Sequence, residues 1–214
     1  MRRRAAAVVG LLLTVVACSP PKAPDYQSIL TKSSTTAAAT TTAKPVPLSQ
    51  YLENIGVNGQ QVAPGSPPDL NVSIPTPPGW SPFSNPNIAK ETLIISHGGK
   101  YPTARLVVFK LRGDFDPAQV VKHGNDDAQL FENFKQLDAS TDNYNGFPSS
   151  MIQGSYDLDG QRLHSWNRIV IATGSPPANQ RYLVQLTITS LANQAAAEAS
   201  DIEAIIHGFV VAAK

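Results

Sequence analysis

The sequence predicts an α+β fold, an antiparallel sheet with helices packed on it, and three observations predict it. In "SYDLDGQRLHSW", Asp159-Gly160 supplies the positive φ angles of a tight hairpin turn between two alternating segments. In "RYLVQLTITS", Tyr182, Val184, Leu186 and Ile188 fall on one side and Gln185, Thr187 and Thr189 on the other, the two-residue period of a half-buried strand. Ile202, Ile205, Ile206, Phe209 and Val210 recur at helical spacing as one apolar stripe. Burying that stripe contributes on the order of 10 kcal/mol, at about 2 per side chain, so the helix must lie on the sheet.

The chain opens differently. Arg2, Arg3 and Arg4 precede an apolar run from Ala5 to Ala17, followed by small residues. These are the three regions of a secretory signal, and the run is too short for a helix crossing a hydrocarbon core, which needs about 20 residues. The run ends in Val15-Val16-Ala17-Cys18, which resembles a bacterial lipobox. In that class, cleavage follows the small residue before the cysteine and the thiol receives a diacylglycerol. Cys18 is the single cysteine of the chain, so no intramolecular disulfide framework or multi-thiolate zinc site can form. It reads as the membrane tether, since two or more acyl chains anchor stably where one does not.

Residues 18–47 are expected to be a lipidated terminus and a Thr/Ala/Pro-rich linker. The segment "SSTTAAATTTAKPVP" has almost no bulky apolar residues with which to offset the entropy of ordering. Thr35, Thr36, Thr40, Thr41 and Thr42 are candidate O-glycosylation sites. The globular domain is expected over 48–214.

Within the domain, "PLSQYLENIGV" predicts a short helix capped by Ser49 and ended at Gly56. "DLNVSIP" reads as a strand ending at Pro75, and "TPPGWSPF" as a proline-stiffened loop that places Trp80 and Phe83. "ETLIIS" and "TARLVVFKLRG" are strands joined by "HGGKYP". Asp116 is a natural N-cap with Pro117 at the first helical position. In that helix Val120, Val121, Ala128 and Phe131 can share one face, although Gly124 weakens it by about 1 kcal/mol against alanine. The hairpin then pairs Ile152, Tyr156 and Leu158 with a strand from Trp166 to Ile171.

Charge excludes one class of function. Without the three leading arginines, 14 basic residues face 16 acidic ones, and no concentrated basic face exists to neutralise nucleic-acid phosphates. Catalytic patterns are also missing. "SHGGK" resembles an esterase oxyanion loop, but no G-x-S-x-G elbow accompanies it. "DLDG" lacks the later oxygen ligands of a calcium loop. His97, His123, His164 and His207 contain no pair spaced for a shared metal, and Asp126-Asp127 do not share a helix face. The expectation is therefore a protein that is not an enzyme and holds no cofactor or metal.

"VSIPTPPGW", "GGKYPTARLVVFKLRGDFD", "NGFPSSMIQGSYDLDGQR" and "SPPANQRYLVQLTIT", with the lipobox and the linker, resemble the mycobacterial LpqN/LpqT family of exported lipoproteins. That resemblance implies a Mog1/PsbP-like α/β/α sandwich, a central antiparallel sheet between helices. It also implies a place on the outer face of the cell membrane and a role in envelope biogenesis. A trehalose mycolate-like glycolipid would be the ligand, and a lipid exporter or another envelope protein a partner. Only Cys18 carries over as a matched functional position. The ligand residues expected from side-chain chemistry are Trp80 and Phe83 on the proline-rich loop, with Trp166 and Arg168 on one side of the hairpin strand. The competing expectation is a surface module that docks a protein partner and takes no small ligand.

Overall fold

The computed structural model describes residues 44–214. Cys18, the signal segment and the threonine-rich tract lie outside the described residues. No described helix is long and apolar enough to cross a membrane.

The elements run α1 (Leu48–Asn54), β1 (Asn58–Val62), β2 (Leu70–Ser73), β3 (Ser81–Pro82), β4 (Leu93–Ser96) and β5 (Thr103–Arg112). Next come α2 (Pro117–Val120), a 3-10 turn (Val121–His123), α3 (Asp126–Gln129), β6 (Lys135–Ser140), β7 (Ser149–Leu158) and β8 (Gln161–Thr173). The chain closes with β9 (Arg181–Leu191), α4 (Ala199–His207) and β10 (Val210–Ala213). The main sheet is antiparallel in the order β3-β4-β5-β9-β8-β7-β6, with β1 sharing the outer edge of β5. A separate ribbon pairs β10 with β2.

The hairpin forms where the turn residues require it: Asp159 has φ 51° and Gly160 φ 73°. Its register sets Gln153 opposite Trp166 and Ile152 opposite Asn167. Because side chains alternate across a strand, the sheet has two faces. On one face Leu106, Val184, Leu186, Trp166 and Val170 pack under α4 (Ile202, Ile205), Phe209 and the ribbon residues Leu70, Val72 and Val211. On the other face Leu111, Leu183, Ile169 and Ile171 pack under α1 (Leu48, Leu52) and the segment Phe115 to Val121. The described residues thus form a sheet between two helical layers, as the family resemblance implies.

Three elements depart from expectation. Ser49 lies inside α1 rather than capping it; Pro47 precedes the helix, and its carbonyl accepts the Tyr51 N–H at 2.9 Å. Asp116 does cap α2, its carboxylate accepting from the Ala118 N–H at 2.9 Å. The helix that it starts is nevertheless broken near Gly124, which sits so close to β7 that a Cβ there would meet Ser150 Oγ at 2.0 Å. Phe131 therefore does not join the core beside Val120 but is 44% exposed. The last helix also ends early. Gly208 passes against Pro75, where a Cβ would meet Cγ at 2.6 Å, and Val210 enters β10 opposite Ser73 instead of extending the helical stripe.

β1, β3, β6 and β10 are additional to the elements predicted; β3 pairs Ser81 and Pro82 with β4 inside the segment expected to be a loop. β1 and β6 are edge strands whose side chains are mostly exposed, so their sequences lack the alternation that marks a half-buried strand.

Candidate functional site

The central strand β9 locates the site. On the α4 side Tyr182, Val184, Leu186 and Ile188 are all buried. On the opposite side Leu183 is buried beneath α1, but Gln185, Thr187 and Thr189 remain half-exposed in the middle of the sheet. Their neighbours across the ladder are Val107 and Arg105 on β5 and Asn167 on β8. Val107 and Asn167 are half-buried and Arg105 is exposed. The helical layer stops short here, leaving an open, polar-floored stretch of sheet.

Asn167 organises the floor. Its Oδ1 accepts from Gln185 Nε2 at 2.9 Å and from Thr187 Oγ1 at 2.8 Å. Asn167 is directly opposite Thr187 and diagonal to Gln185, the positions at which side chains on one face meet. No partner is found among the described residues for the Asn167 amide N–H groups or for Gln185 Oε1. These groups present donors and an acceptor to whatever lies above, the pattern that suits a hydroxyl-rich ligand. Arg105 adds a cation without an ion pair among the described residues.

Aromatic groups close one end. Burial holds the Tyr156 phenol above its ordinary range and nearby Tyr101 adds to that, while the Thr189 hydroxyl and Arg105 oppose it. The Tyr156 and Thr189 hydroxyls therefore adjoin. The Phe131 ring stacks on Tyr156 with centroids 4.2 Å apart and planes at 16°. Phe134 lies over Gly154, where a Cβ would come within 2.4 Å of its ring. At the other end Tyr51 of α1 stacks on His123 at 3.9 Å.

The residues expected to bind ligand lie elsewhere. Trp80 and Trp166 are 6% and 7% exposed and share the core under α4. The Trp80 Nε1 donates to Asp201 Oδ2 at 3.1 Å, fastening the proline-rich loop to that helix. Both indoles are packed in the apolar core, which leaves little of either ring exposed, against the expectation drawn from residue chemistry. Arg168 does sit beside Trp166, its guanidinium 5.5 Å from that ring and 4.9 Å from Tyr144, and it donates to Ser149 Oγ at 3.0 Å. Burial lowers its pKa, opposed by Tyr144 and Asp142. Phe83 lines an open cleft of about 280 Å³ with Ile88, Ala89, Leu93 and Ile94. Four strand spacings separate β3 from β8, about 19 Å, so Phe83 and the Trp166–Arg168 pair do not form one site. Among the described residues no group of three His, Cys, Asp or Glu side chains is placed to hold a metal.

The polar side of β9 is visible in the sequence as the alternation of "RYLVQLTITS". What could not be read locally is that β9 lies at the sheet centre with only part of that side covered.

Comparison with known proteins agrees with this architecture. The family model described as "Probable lipoprotein LpqN" matches residues 44–212. LpqT of Mycobacterium leprae is 79% identical over 171 residues, covering 80% of this chain and 78% of that protein. LpqT of Mycobacterium tuberculosis H37Rv is 68% identical over 170 residues, covering 79% and 75%. The crystal structure of Mycobacterium tuberculosis LpqN, a protein described as involved in cell envelope biogenesis, matches with a TM-score of 0.66. It covers 79% of this chain and 99% of that one at 18% identity, a likeness of fold.

Proposed function

Because the chain belongs to the LpqN/LpqT lipoprotein family, we propose that it acts in cell envelope biogenesis as a membrane-anchored binding protein. Its ligand is an amphiphilic glycolipid of the trehalose mycolate type, received on the open side of the sheet and held for an exporter or another envelope protein. The anchor is a lipid on Cys18, at the outer face of the cell membrane. The observation that carries the reading is the half-exposed row Gln185, Thr187 and Asn167 on two central strands. Elsewhere this side is covered by α1 and the Phe115–Val121 segment, and the polar groups left open between are available for hydrogen bonds that water makes in the free protein. The role is binding and not catalysis: the open floor holds amides, hydroxyls and a guanidinium, and the Thr187 hydroxyl bonds to Asn167 rather than to a base that would activate it.

Two measurements test it. Native mass spectrometry of the protein from its own host should show a co-purified sugar-bearing lipid. Calorimetry should show a monomeric trehalose ester binding more tightly than free trehalose and than a chain-matched non-sugar detergent. Equal affinity for ester and detergent would reduce the site to a generic apolar surface. No binding of either would favour the protein-docking module. The anchor is tested separately: Cys18→Ser should move the protein to soluble fractions, whereas an unmodified Cys18 thiol in the mature wild-type protein would contradict it.

A further inference from the structure

We propose that the ligand lies across the open face in one direction, its sugar on Asn167, Gln185 and Thr187 and its alkyl chain on an apolar lip made by Phe131, Leu130 and Leu158. This rests on the glycolipid reading and adds to it an orientation and a division of labour.

Three of the exposed large apolar side chains gather in the lip. Leu130, Phe131 and Leu158 are 46%, 44% and 40% exposed, and they come from two separate segments. Tyr156 and Leu158 point to the same side of β7, Phe131 stacks on Tyr156, and Leu130 precedes Phe131 in the chain. It is also held firmly. The Asp157 N–H donates to the Glu132 carbonyl at 2.9 Å, Arg162 Nη1 donates to the Asn133 carbonyl at 2.9 Å, and Asn133 Nδ2 donates to Asp157 Oδ2 at 2.7 Å. Three bonds thus fix the loop that carries Leu130 and Phe131 against the end of β7. Apolar side chains on a fixed support lose little further freedom when covered, which favours a preformed contact.

The lip is continuous with the polar floor through Tyr156, whose hydroxyl lies beside Thr189. Along β7, Ile152 is level with Asn167. Tyr156 is four residues further and Leu158 six, about 13 and 20 Å at the usual strand rise. Tyr156 is itself 6% exposed beneath Phe131, and Phe134 covers Gly154, so a sugar seated on Asn167 would direct its chain over those two phenylalanine rings towards Leu158. Charge argues against an anionic bilayer as the occupant, because Asp126, Asp127 and Glu132 belong to the same segment. An uncharged alkyl chain has no such penalty.

The test uses residues 18–214 with Cys18→Ser, so that no acyl group of the protein competes. Affinities for octanoyl, decanoyl and dodecanoyl trehalose are measured by calorimetry below their micelle concentrations. A fully buried methylene corresponds to about fourfold in affinity, and one covered on a single side to about twofold. Wild type should gain about twofold per methylene. Phe131→Ser combined with Leu158→Ser should flatten that gain, and Phe131→Leu alone should keep it. Asn167→Ala should weaken all three esters by a similar factor and leave the gain per methylene intact. An undiminished gain in the double serine variant, or a gain lost in Asn167→Ala, overturns the orientation while leaving glycolipid binding in place. Failure of wild type to bind any ester overturns the functional reading itself.

Discussion

The two sides of the sheet are built from the same strands and have opposite fates. On the α4 side, Leu106, Val108, Val184, Leu186 and Val170 are fully buried beneath a helix and a β-ribbon. On the other side, α1 and the broken α2–α3 segment cover Leu183, Ile169 and Ile171 and leave Gln185, Thr187 and Asn167 open. One strand, β9, thus supplies core on one side and an open polar row on the other, since alternate side chains answer to different layers. On the proposed reading the first side carries stability and the second recognition.

The largest effect should come from charging the closed side. Ile205 is 0% exposed on the inner face of α4, so Ile205→Asp buries an unpaired carboxylate. It should cost more than about 4–5 kcal/mol, a large part of a domain's stability. Denaturant melts should show no folded baseline; a cooperative transition near that of wild type would break the comparison.

Next come the indoles. Trp166→Ala and Trp80→Ala should each cost about 3–5 kcal/mol in urea denaturation. Trp80→Ala also removes the bond to Asp201. A loss under about 1 kcal/mol for either, well below the usual cost of truncating a buried indole, would return that residue to the candidate ligand contacts.

On the open side the same chemistry should cost little. Asn167→Ala breaks the bonds to Gln185 and Thr187, but both partners can turn to water. The expected loss is about 0.5–1.5 kcal/mol. A cost as large as that at Trp166 would mean that the row is a structural network and not an open floor.

The smallest effect sharpens the boundary of the closed side. His164 shares a face with Trp166, contacts Gln153 Nε2 at 2.9 Å, and has its pKa lowered from 6.5 by burial. The folded state therefore resists the proton that the unfolded state accepts. Stability should be complete above about pH 6.5 and decline as pH falls from there towards the folded pKa. His164→Gln should flatten that slope in thermal melts, and an unchanged slope would assign the decline to other groups.

Much of this division was legible in the chain. The alternation in β9, the Asp159-Gly160 turn and the Ile202–Ile205–Ile206 stripe are local patterns, and each forms as its period requires. What escaped was set by tertiary contact. β7 passes so close that only glycine fits at 124, the helix there is split into short pieces, and Phe131 is exposed. Trp80 looked available because its loop is proline-rich, yet α4, more than a hundred residues later, encloses it. The polar row on β9 resembled an ordinary solvent-facing side until the strand order placed it at the sheet centre.

Whether the Asn167 row is the binding floor is tested most directly by following backbone amide resonances of residues 18–214, carrying Cys18→Ser, during titration with octanoyl trehalose. Saturable shifts should concentrate at Arg105, Asn167, Gln185 and Thr187 and extend to Phe131, with Ile202, Ile205 and the Phe83 cleft unmoved. Shifts confined to that cleft or to α4, with the Asn167 row silent, would contradict a recognition role for the open side.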